Sequence, residues 1–156
     1  MNDDKLMLEL VALVGVGGHR EQRGAAVAAA IRRFGDYRWV GVYDVTADEI
    51  AVVGWDGPSP PTHPRFARTQ GLCGAAVASG EPVIVGDVSA DPRYLTTHST
   101  TRSEIVVPVF ADGAVVGLID VESERPQAFG DRDRQLLERS AAVVAPLWRT
   151  TGAGTG

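Results

Sequence analysis

The sequence predicts an α+β domain in which a central antiparallel sheet of about five to six strands is flanked by N- and C-terminal helices. Two observations predict this class. Apolar residues recur at helical spacing near both ends of the chain, and β-branched and aromatic segments joined by short turns occupy its middle. The 156 residues fit one domain, expected at residues 1–149, with a disordered tail at 150–156.

Three longer helices are predicted. Apolar spacing indicates a first helix over residues 4–14 and a second over 20–34, each ended by glycine. A last helix begins at Asp131, which caps it, and presents an apolar stripe as far as Trp148. We expect these terminal helices to cover one face of the sheet or to pair with a second subunit.

The strands are predicted as two hairpins and one short strand between them. Residues 37–45 and 49–55 form the first hairpin, 82–85 the single strand, and 103–109 with 116–123 the second hairpin. Prolines between residues 56 and 64 disfavour regular structure and predict a loop, interpreted as a lid over a site. A short helix follows at 71–80, and a long polar loop at 87–101.

Charge and composition exclude several classes of partner. The net charge of −5 and the pI near 5.1 argue against nucleic acid, which basic surfaces bind. No apolar run approaches the ~18 residues of a membrane span, and the N-terminus is acidic, so we expect a cytoplasmic protein without a membrane partner. Cys73 is the only cysteine, which excludes an intramolecular disulfide and a cysteine-rich metal site.

Three acidic residues interrupt the apolar second hairpin. Asp120 and Glu122 are two residues apart on one strand, so their side chains share a face, and Glu104 begins the neighbouring strand. Partly buried together, these carboxylates would require a cationic partner such as an ammonium group, a metal ion or an arginine. The pattern predicts an acidic pocket, or, alternatively, a strand end that emerges into solvent.

Several motifs together with the order of elements resemble the GAF domain family. The resemblance spans roughly residues 8–147 and is most specific to the subgroup of free methionine-R-sulfoxide reductases. It implies the α+β fold above and a single GAF domain. The motifs that carry it are WVGVY at 39–43, GLCGAA at 71–76, SEIVVP at 103–108 and GLIDVES at 117–123.

The resemblance also implies site residues. In the subgroup, a nucleophilic cysteine, a lid cysteine and a third cysteine serve sulfoxide reduction, and their positions correspond here to Thr97, His63 and Cys73. Only the third is kept, and a threonine hydroxyl cannot be cycled through sulfenic acid as a thiolate can. The carboxylates that bind the substrate in the subgroup correspond to Glu104, Asp120 and Glu122. Glu122 keeps the charge but has a longer side chain than the aspartate expected there.

Further candidates surround these acids. Near a helix N-terminus Cys73 would favour thiolate, although a lone cysteine among small apolar residues is more often simply buried. His63 and His98 are interpreted as exposed loop histidines or, alternatively, as ligands for zinc or iron. We expect no metal and no cofactor. The candidate ligand-binding residues beyond the acids are Trp39, Tyr43, Trp55, Thr97, His98 and Ser103.

Three functions compete at this stage. The first is a binding module or signalling sensor for a small polar, amino-acid-like molecule, catalytically degenerate because its cysteines are lost. The second is a reductase that works through Cys73 alone with an external thiol. The third is a dimerisation or interaction module, and under any of the three we expect a homodimer.

Overall fold

A computed structural model describes residues 2–148 of the chain. The predicted tail at 150–156 lies outside the described residues. The elements, in chain order, are α1 (Asp3–Gly15), α2 (Arg20–Gly35), β1 (Trp39–Val45), β2 (Glu49–Asp56), β3 (Arg65–Ala67), α3 (Gly71–Ser79), β4 (Val83–Val85), β5 (Ser103–Ala111), β6 (Ala114–Ser123) and α4 (Asp131–Val144).

One sheet of six strands organises the domain. Its order is β3-β2-β1-β6-β5-β4, and every neighbouring pair is antiparallel, which confirms the predicted α+β class. The edge strand β3 was not predicted. It is three residues long, too short to show alternation, and it follows a proline-rich loop, so only its pairing with β2 defines it.

The two faces of the sheet carry separate apolar cores. Helices α1, α2 and α4 cover one face, where Ile119 and Val121 of β6 point. Helix α3 and the long loops cover the other, where Leu118 points. Because side chains alternate along a strand, Asp120 and Glu122 share the α3 face with Leu118. The acids therefore lie beneath α3 and the loops, away from the three-helix layer.

Helix α2 lies very close to strand β2. A Cβ atom added to Gly54 would lie 2.2 Å from the backbone nitrogen of Ala25, so the two backbones approach as only glycine permits. At the start of α2, the Arg20 guanidinium makes two hydrogen bonds to the Asp44 carboxylate, and its Nε donates to the carbonyl of Leu147 at 2.9 Å. These contacts fix the helix against β1 and against the C-terminal segment.

Large apolar side chains are exposed to solvent on the outer side of α1. Leu8 is 72% exposed and Val11 is 56% exposed. A surface of this kind is compatible with subunit pairing, and the homodimer stays a prediction. Within residues 2–148, no helix has the length and apolar character needed to cross a bilayer.

Candidate functional site

Strand register brings the three acids together. Glu104 of β5 lies directly opposite Glu122 of β6, and Asp120 lies opposite Val106, so the three carboxyl groups project from adjacent positions on one face. Their exposed fractions are 3% for Glu104, 1% for Asp120 and 1% for Glu122. The alternative of a strand end emerging into solvent is wrong, because the long loops cover this part of the sheet.

Each carboxyl group keeps one oxygen without a partner. Thr101 donates to Oε1 of Glu122 at 2.7 Å, which satisfies half of that group. Oε1 of Glu104, Oδ1 of Asp120 and Oε2 of Glu122 are buried and accept no hydrogen bond. Unpartnered buried carboxylate oxygens are costly and need an explanation, since nearly all buried polar atoms in proteins are paired.

Burial and mutual repulsion make the acids hard to ionise. Burial, followed by repulsion from Glu122, raises the pKa of Glu104 to about 8. Burial also raises the pKa of Asp120 and of Glu122 well above their usual ranges, and their acidic neighbours add to both shifts. A cation placed among the oxygens would reverse this effect by stabilising the charged forms.

Cys73 lies in the first turn of α3 and faces the acids. Its sulfur and one carboxylate oxygen each from Glu104 and Asp120 all lie within 4.8 Å of one another. The thiol is 5% exposed, and burial together with the charges of Asp120 and Glu104 raises its pKa well above the usual value. This shift opposes the preference for thiolate that a helix N-terminus confers on a cysteine.

A small cavity lies between Cys73 and the acids. It leaves about 10 Å³ for the centre of a water-sized sphere, close to the minimum that one water molecule requires. No lysine or arginine is among its lining residues, so no side-chain cation faces the acids there. The lining consists of Tyr43, His63, Phe66, Gly71, Leu72, Cys73, Leu95, Thr97, Glu104 and Asp120.

The cavity brings together three residues from three separate segments that the sequence analysis singled out. His63 comes from the loop before β3, Cys73 from α3 and Thr97 from the loop before β5, and each lines the cavity. At these three positions the chain offers one thiol, one imidazole and one hydroxyl group.

Aromatic rings close the β1 side of the site. Gly41 lies opposite Asp120, and a Cβ atom there would lie 2.5 Å from the Trp39 ring and 2.9 Å from the Tyr43 ring. The missing side chain lets both rings fold over the strand, and each residue is 1% exposed. Tyr43 lines the cavity, whereas Trp39 packs edge-on to His98 with ring centroids 5.0 Å apart.

Two loops meet over the cavity. The backbone nitrogen and the hydroxyl of Thr62 both donate to the carbonyl oxygen of Thr97, at 3.1 and 2.5 Å. Beside them, Ser59 Oγ lies 3.3 Å from His98 Nδ1, and the Trp39 indole donates to the Ser59 carbonyl at 3.0 Å. The proline-rich loop is thus hydrogen-bonded to the loop that precedes β5, as a lid over the site would be.

A second, slightly larger opening lies next to the first. Trp39, His98 and Glu122 line it together with Arg38 and loop residues, and it offers about 40 Å³ for the centre of a water-sized sphere. The unpartnered Nε2 of His98 is buried here, and burial, together with Arg38, lowers the pKa of this imidazole. His98 therefore borders the acids at Glu122 and does not line the cavity that holds Cys73.

Two predicted residues lie away from the cavity. Ser103 is on the opposite face of β5, where its hydroxyl donates to the carbonyl of Arg125 at 2.6 Å and fixes the segment after β6. Trp55 is half-buried against the core on the α3 face and lines neither opening. The alternation of side chains along β5 explains why Ser103 lies on the opposite face, because the residue next to Glu104 must point the other way.

Sequence reasoning missed other contributors. Thr101 is the hydrogen-bond donor to Glu122, and Phe66 and Leu95 form apolar walls of the cavity. Thr101 lies just before the strand that carries Glu104, so its hydroxyl could have been predicted from the sequence as a hydrogen-bond donor to the acids. Phe66 belongs to the unpredicted strand β3, and Leu95 lies in a loop without a motif, so neither carried a signal.

A curled antiparallel sheet with three helices on one face and a lidded cavity on the other is the architecture of GAF-like α+β domains. The chain belongs to the GAF domain family, whose model matches residues 19–146. The match includes all six strands and the cavity, and leaves out α1 and the last residues of the chain.

Several known proteins are similar to this chain in sequence or in structure. GAF domain-containing protein A from Dictyostelium discoideum is 33% identical over 114 residues, which cover 72% of this chain and 71% of that protein. The free methionine-R-sulfoxide reductase of Saccharomyces cerevisiae is 32% identical over 113 residues, covering 70% of this chain and 62% of that protein. The structure of the Neisseria meningitidis free methionine-R-sulfoxide reductase in complex with its substrate superposes with a TM-score of 0.86 at 30% identity, covering 97% of this chain and 91% of that one.

Proposed function

We propose that this GAF domain binds a small, amino-acid-like molecule through its ammonium group and does not turn it over. The single observation that carries the proposal is the set of buried, unpartnered oxygens on Glu104, Asp120 and Glu122. An ammonium group has three donors and a positive charge, so it can satisfy one oxygen from each acid at once. The ligand would supply the cation that the lining residues of the cavity do not provide.

The size and walls of the site support a compact ligand. The cavity accommodates about one water molecule, so a ligand enters only when the lid loop moves, and Tyr43, Phe66 and Leu95 then offer apolar contact for a short side chain. The similarity to a reductase solved with its substrate supports an amino acid or an oxidised amino acid as the ligand class.

The chemistry of the site supports the proposed absence of turnover. Sulfoxide reduction needs a thiolate that attacks the sulfur, releases the thioether as it becomes sulfenic acid, and is then reduced by a second thiol. Cys73 is the only cysteine, and burial raises the pKa of its thiol, which leaves little thiolate. Thr97 and His63, which face the same cavity, cannot accept the oxygen and be reduced again.

Ligand binding is expected to raise the melting temperature. In EDTA, free L-amino acids and methionine-R-sulfoxide should include at least one compound that raises Tm by roughly 5–10 °C at saturation, since [L] near 100 Kd adds ~2.7 kcal/mol and each kcal/mol shifts Tm by roughly 2–4 °C. Asp120→Asn should remove the shift, because the amide keeps the shape and loses the charge. Differential scanning fluorimetry measures both.

The controls isolate the ammonium group and the buried acid. An N-acetylated derivative of the active compound should give no shift, and Glu138→Gln, which changes an exposed acid on α4, should keep the full shift. Binding that survives both Asp120→Asn and Glu104→Gln would sink the proposal, as would a complete amino-acid panel without any stabilisation.

A one-cysteine reductase is the second candidate, favoured by one observation: Cys73 lines the same cavity as the acids. We expect free methionine-R-sulfoxide with dithiothreitol to be reduced no faster than in a blank without protein. The assay follows methionine release by chromatography. If the protein reduces the sulfoxide and Cys73→Ser loses this activity, the chain is a reductase, and the proposal that it binds its ligand without turnover is wrong.

The remaining interpretations stay predictions. A cytoplasmic location and a signalling role accord with an acidic chain that binds a small metabolite. A homodimer through the terminal helices accords with the exposed Leu8 and Val11 of α1.

A further inference from the structure

We propose that the same cavity is a binding site for Zn²⁺, held by the sulfur of Cys73 and by one carboxylate oxygen each from Glu104 and Asp120. This inference goes beyond the proposed function, because it uses the thiol, which an ammonium ligand does not need. It also replaces the expectation of no metal drawn from the sequence, in which these three residues lie on three separate elements.

The donor atoms are spaced for a metal ion. Zn–S bonds are about 2.3 Å and Zn–O bonds about 2.0–2.2 Å, so tetrahedral donors lie roughly 3.4–3.6 Å apart. The three donor atoms here lie within 4.8 Å of one another. Small rotations of the three side chains would bring the donor atoms to the shorter distances that a bound metal ion requires. The pairing of β5 with β6 and the packing of α3 against both strands hold the three donor residues in position before a metal ion binds.

A second, independent observation points to a bound cation. Oε1 of Glu104 and Oδ1 of Asp120 are both unpartnered, and their residues are 3% and 1% exposed. Both residues line the cavity that Cys73 also lines. A cation between them would replace the proton that holds the two neighbouring carboxyl groups together and would give both buried oxygens a partner.

The donor set selects the type of metal. Oxygen-only sites suit Mg²⁺ and Ca²⁺, whereas a thiolate beside carboxylates suits a softer divalent ion such as Zn²⁺. Three protein ligands leave a fourth position open in tetrahedral geometry. His63 also lines the cavity, but its ring nitrogens do not belong to the group of donor atoms within 4.8 Å, so water is the expected fourth ligand.

The metal and an ammonium ligand are alternative occupants of the same oxygens. Zn²⁺ should therefore weaken binding of any amine ligand competitively, which would make the metal a regulator of the site. The proposal does not rest on the proposed function, since Zn²⁺ binding requires no organic molecule, and amine binding is tested in EDTA.

Cobalt substitution tests the site directly. Co²⁺ added to the chelator-treated protein should produce a thiolate-to-cobalt charge-transfer band in the near ultraviolet at one ion per chain, and Zn²⁺ should displace it. Since Cys73 is the only cysteine, this band reports on one sulfur. Isothermal titration with ZnCl₂ then measures the affinity.

Matched variants separate this site from surface binding. Cys73→Ser should remove the cobalt band and weaken Zn²⁺ binding by at least roughly 100-fold, because the loss of contacts outside the ligand set alone costs roughly 10- to 100-fold. Asp120→Asn should abolish both the cobalt band and any amine-induced Tm shift. Glu138→Gln should change neither.

The proposal is overturned if Co²⁺ gives no charge-transfer band with the unmodified protein, a result that no folding defect in a variant can imitate. It is also overturned if Zn²⁺ affinity is unchanged in both Cys73→Ser and Asp120→Asn, since binding would then occur elsewhere. An amine-induced shift in EDTA together with no cobalt band would reject the metal site and keep the proposed function.

Discussion

The ligand-free, metal-free protein is expected to melt roughly 10 °C lower at pH 9 than at pH 5.5. Burial raises the pKa of Glu104 from 4.5 to about 8, so the folded state holds a proton that the unfolded state releases. An acid with a raised folded-state pKa contributes stability that is complete below pH 4.5 and is lost as the pH rises through about 8. Asp120 and Glu122 shift in the same direction.

The size of the effect follows from the linkage relation. One pKa unit corresponds to ~1.4 kcal/mol, so even a partly relaxed site loses roughly 3 kcal/mol over this range. For a domain of this length, that is roughly 10 °C in Tm. Thermal unfolding followed by circular dichroism in EDTA at several pH values measures it.

The Glu104→Gln variant tests the cause. A neutral amide has nothing to titrate and no charge to bury, so the variant should lose much of the pH dependence and should match or exceed the wild type in Tm at pH 9. Glu138→Gln should keep the wild-type profile. A profile that stays equally steep in Glu104→Gln and in Asp120→Asn would assign the pH dependence to other groups.

The Gly54→Ala substitution is expected to destabilise the fold by roughly 3 kcal/mol, the upper end of overpacking costs. The new Cβ atom would lie 2.2 Å from the backbone nitrogen of Ala25 and 2.6 Å from the carbonyl carbon of Gly24. Both atoms belong to the backbone of α2, so the helix itself must move away from β2. Urea denaturation measures the loss as a lower midpoint with an unchanged slope.

Gly15→Ala is the matched control. A Cβ atom at Gly15 meets nothing within 4 Å, so the stability should change by no more than ~0.5 kcal/mol. If Gly54→Ala were as stable as Gly15→Ala, the close packing of α2 against β2 would be wrong. The predicted loss does not depend on any ligand.

Most of the fold could be predicted from the regular spacing of apolar residues along the sequence. The helices at 4–14 and 20–34 were predicted to within a residue at each end, and the two hairpins were placed correctly, because their patterns are long and regular. Strand β3 could not be predicted, since three residues carry no period and only pairing with β2 defines them. The close approach of Gly54 to α2 also has no local signature, because tertiary packing determines it.

The site was predictable in part. The spacing of Asp120 and Glu122 placed both acids on one face, and an antiparallel neighbour brought Glu104 beside them. Their burial could not be derived from the strand pattern, because it depends on loops that fold back over the sheet. The position of Ser103 shows the limit of motif reasoning, since it is adjacent to Glu104 in sequence and on the opposite face in space.

The two hydrogen bonds from Thr62 to the carbonyl of Thr97 hold the loops together above a cavity with almost no free space. Any occupant can enter or leave only when these loops separate, so the frequency of opening limits the association and dissociation rates, while the buried acids below determine how strongly a cation is held. Occupancy would then outlast a fall in the free concentration of the ligand. Under the proposed ligand binding, the occupied fraction of the domain would follow the ligand concentration with a delay and would average over brief fluctuations.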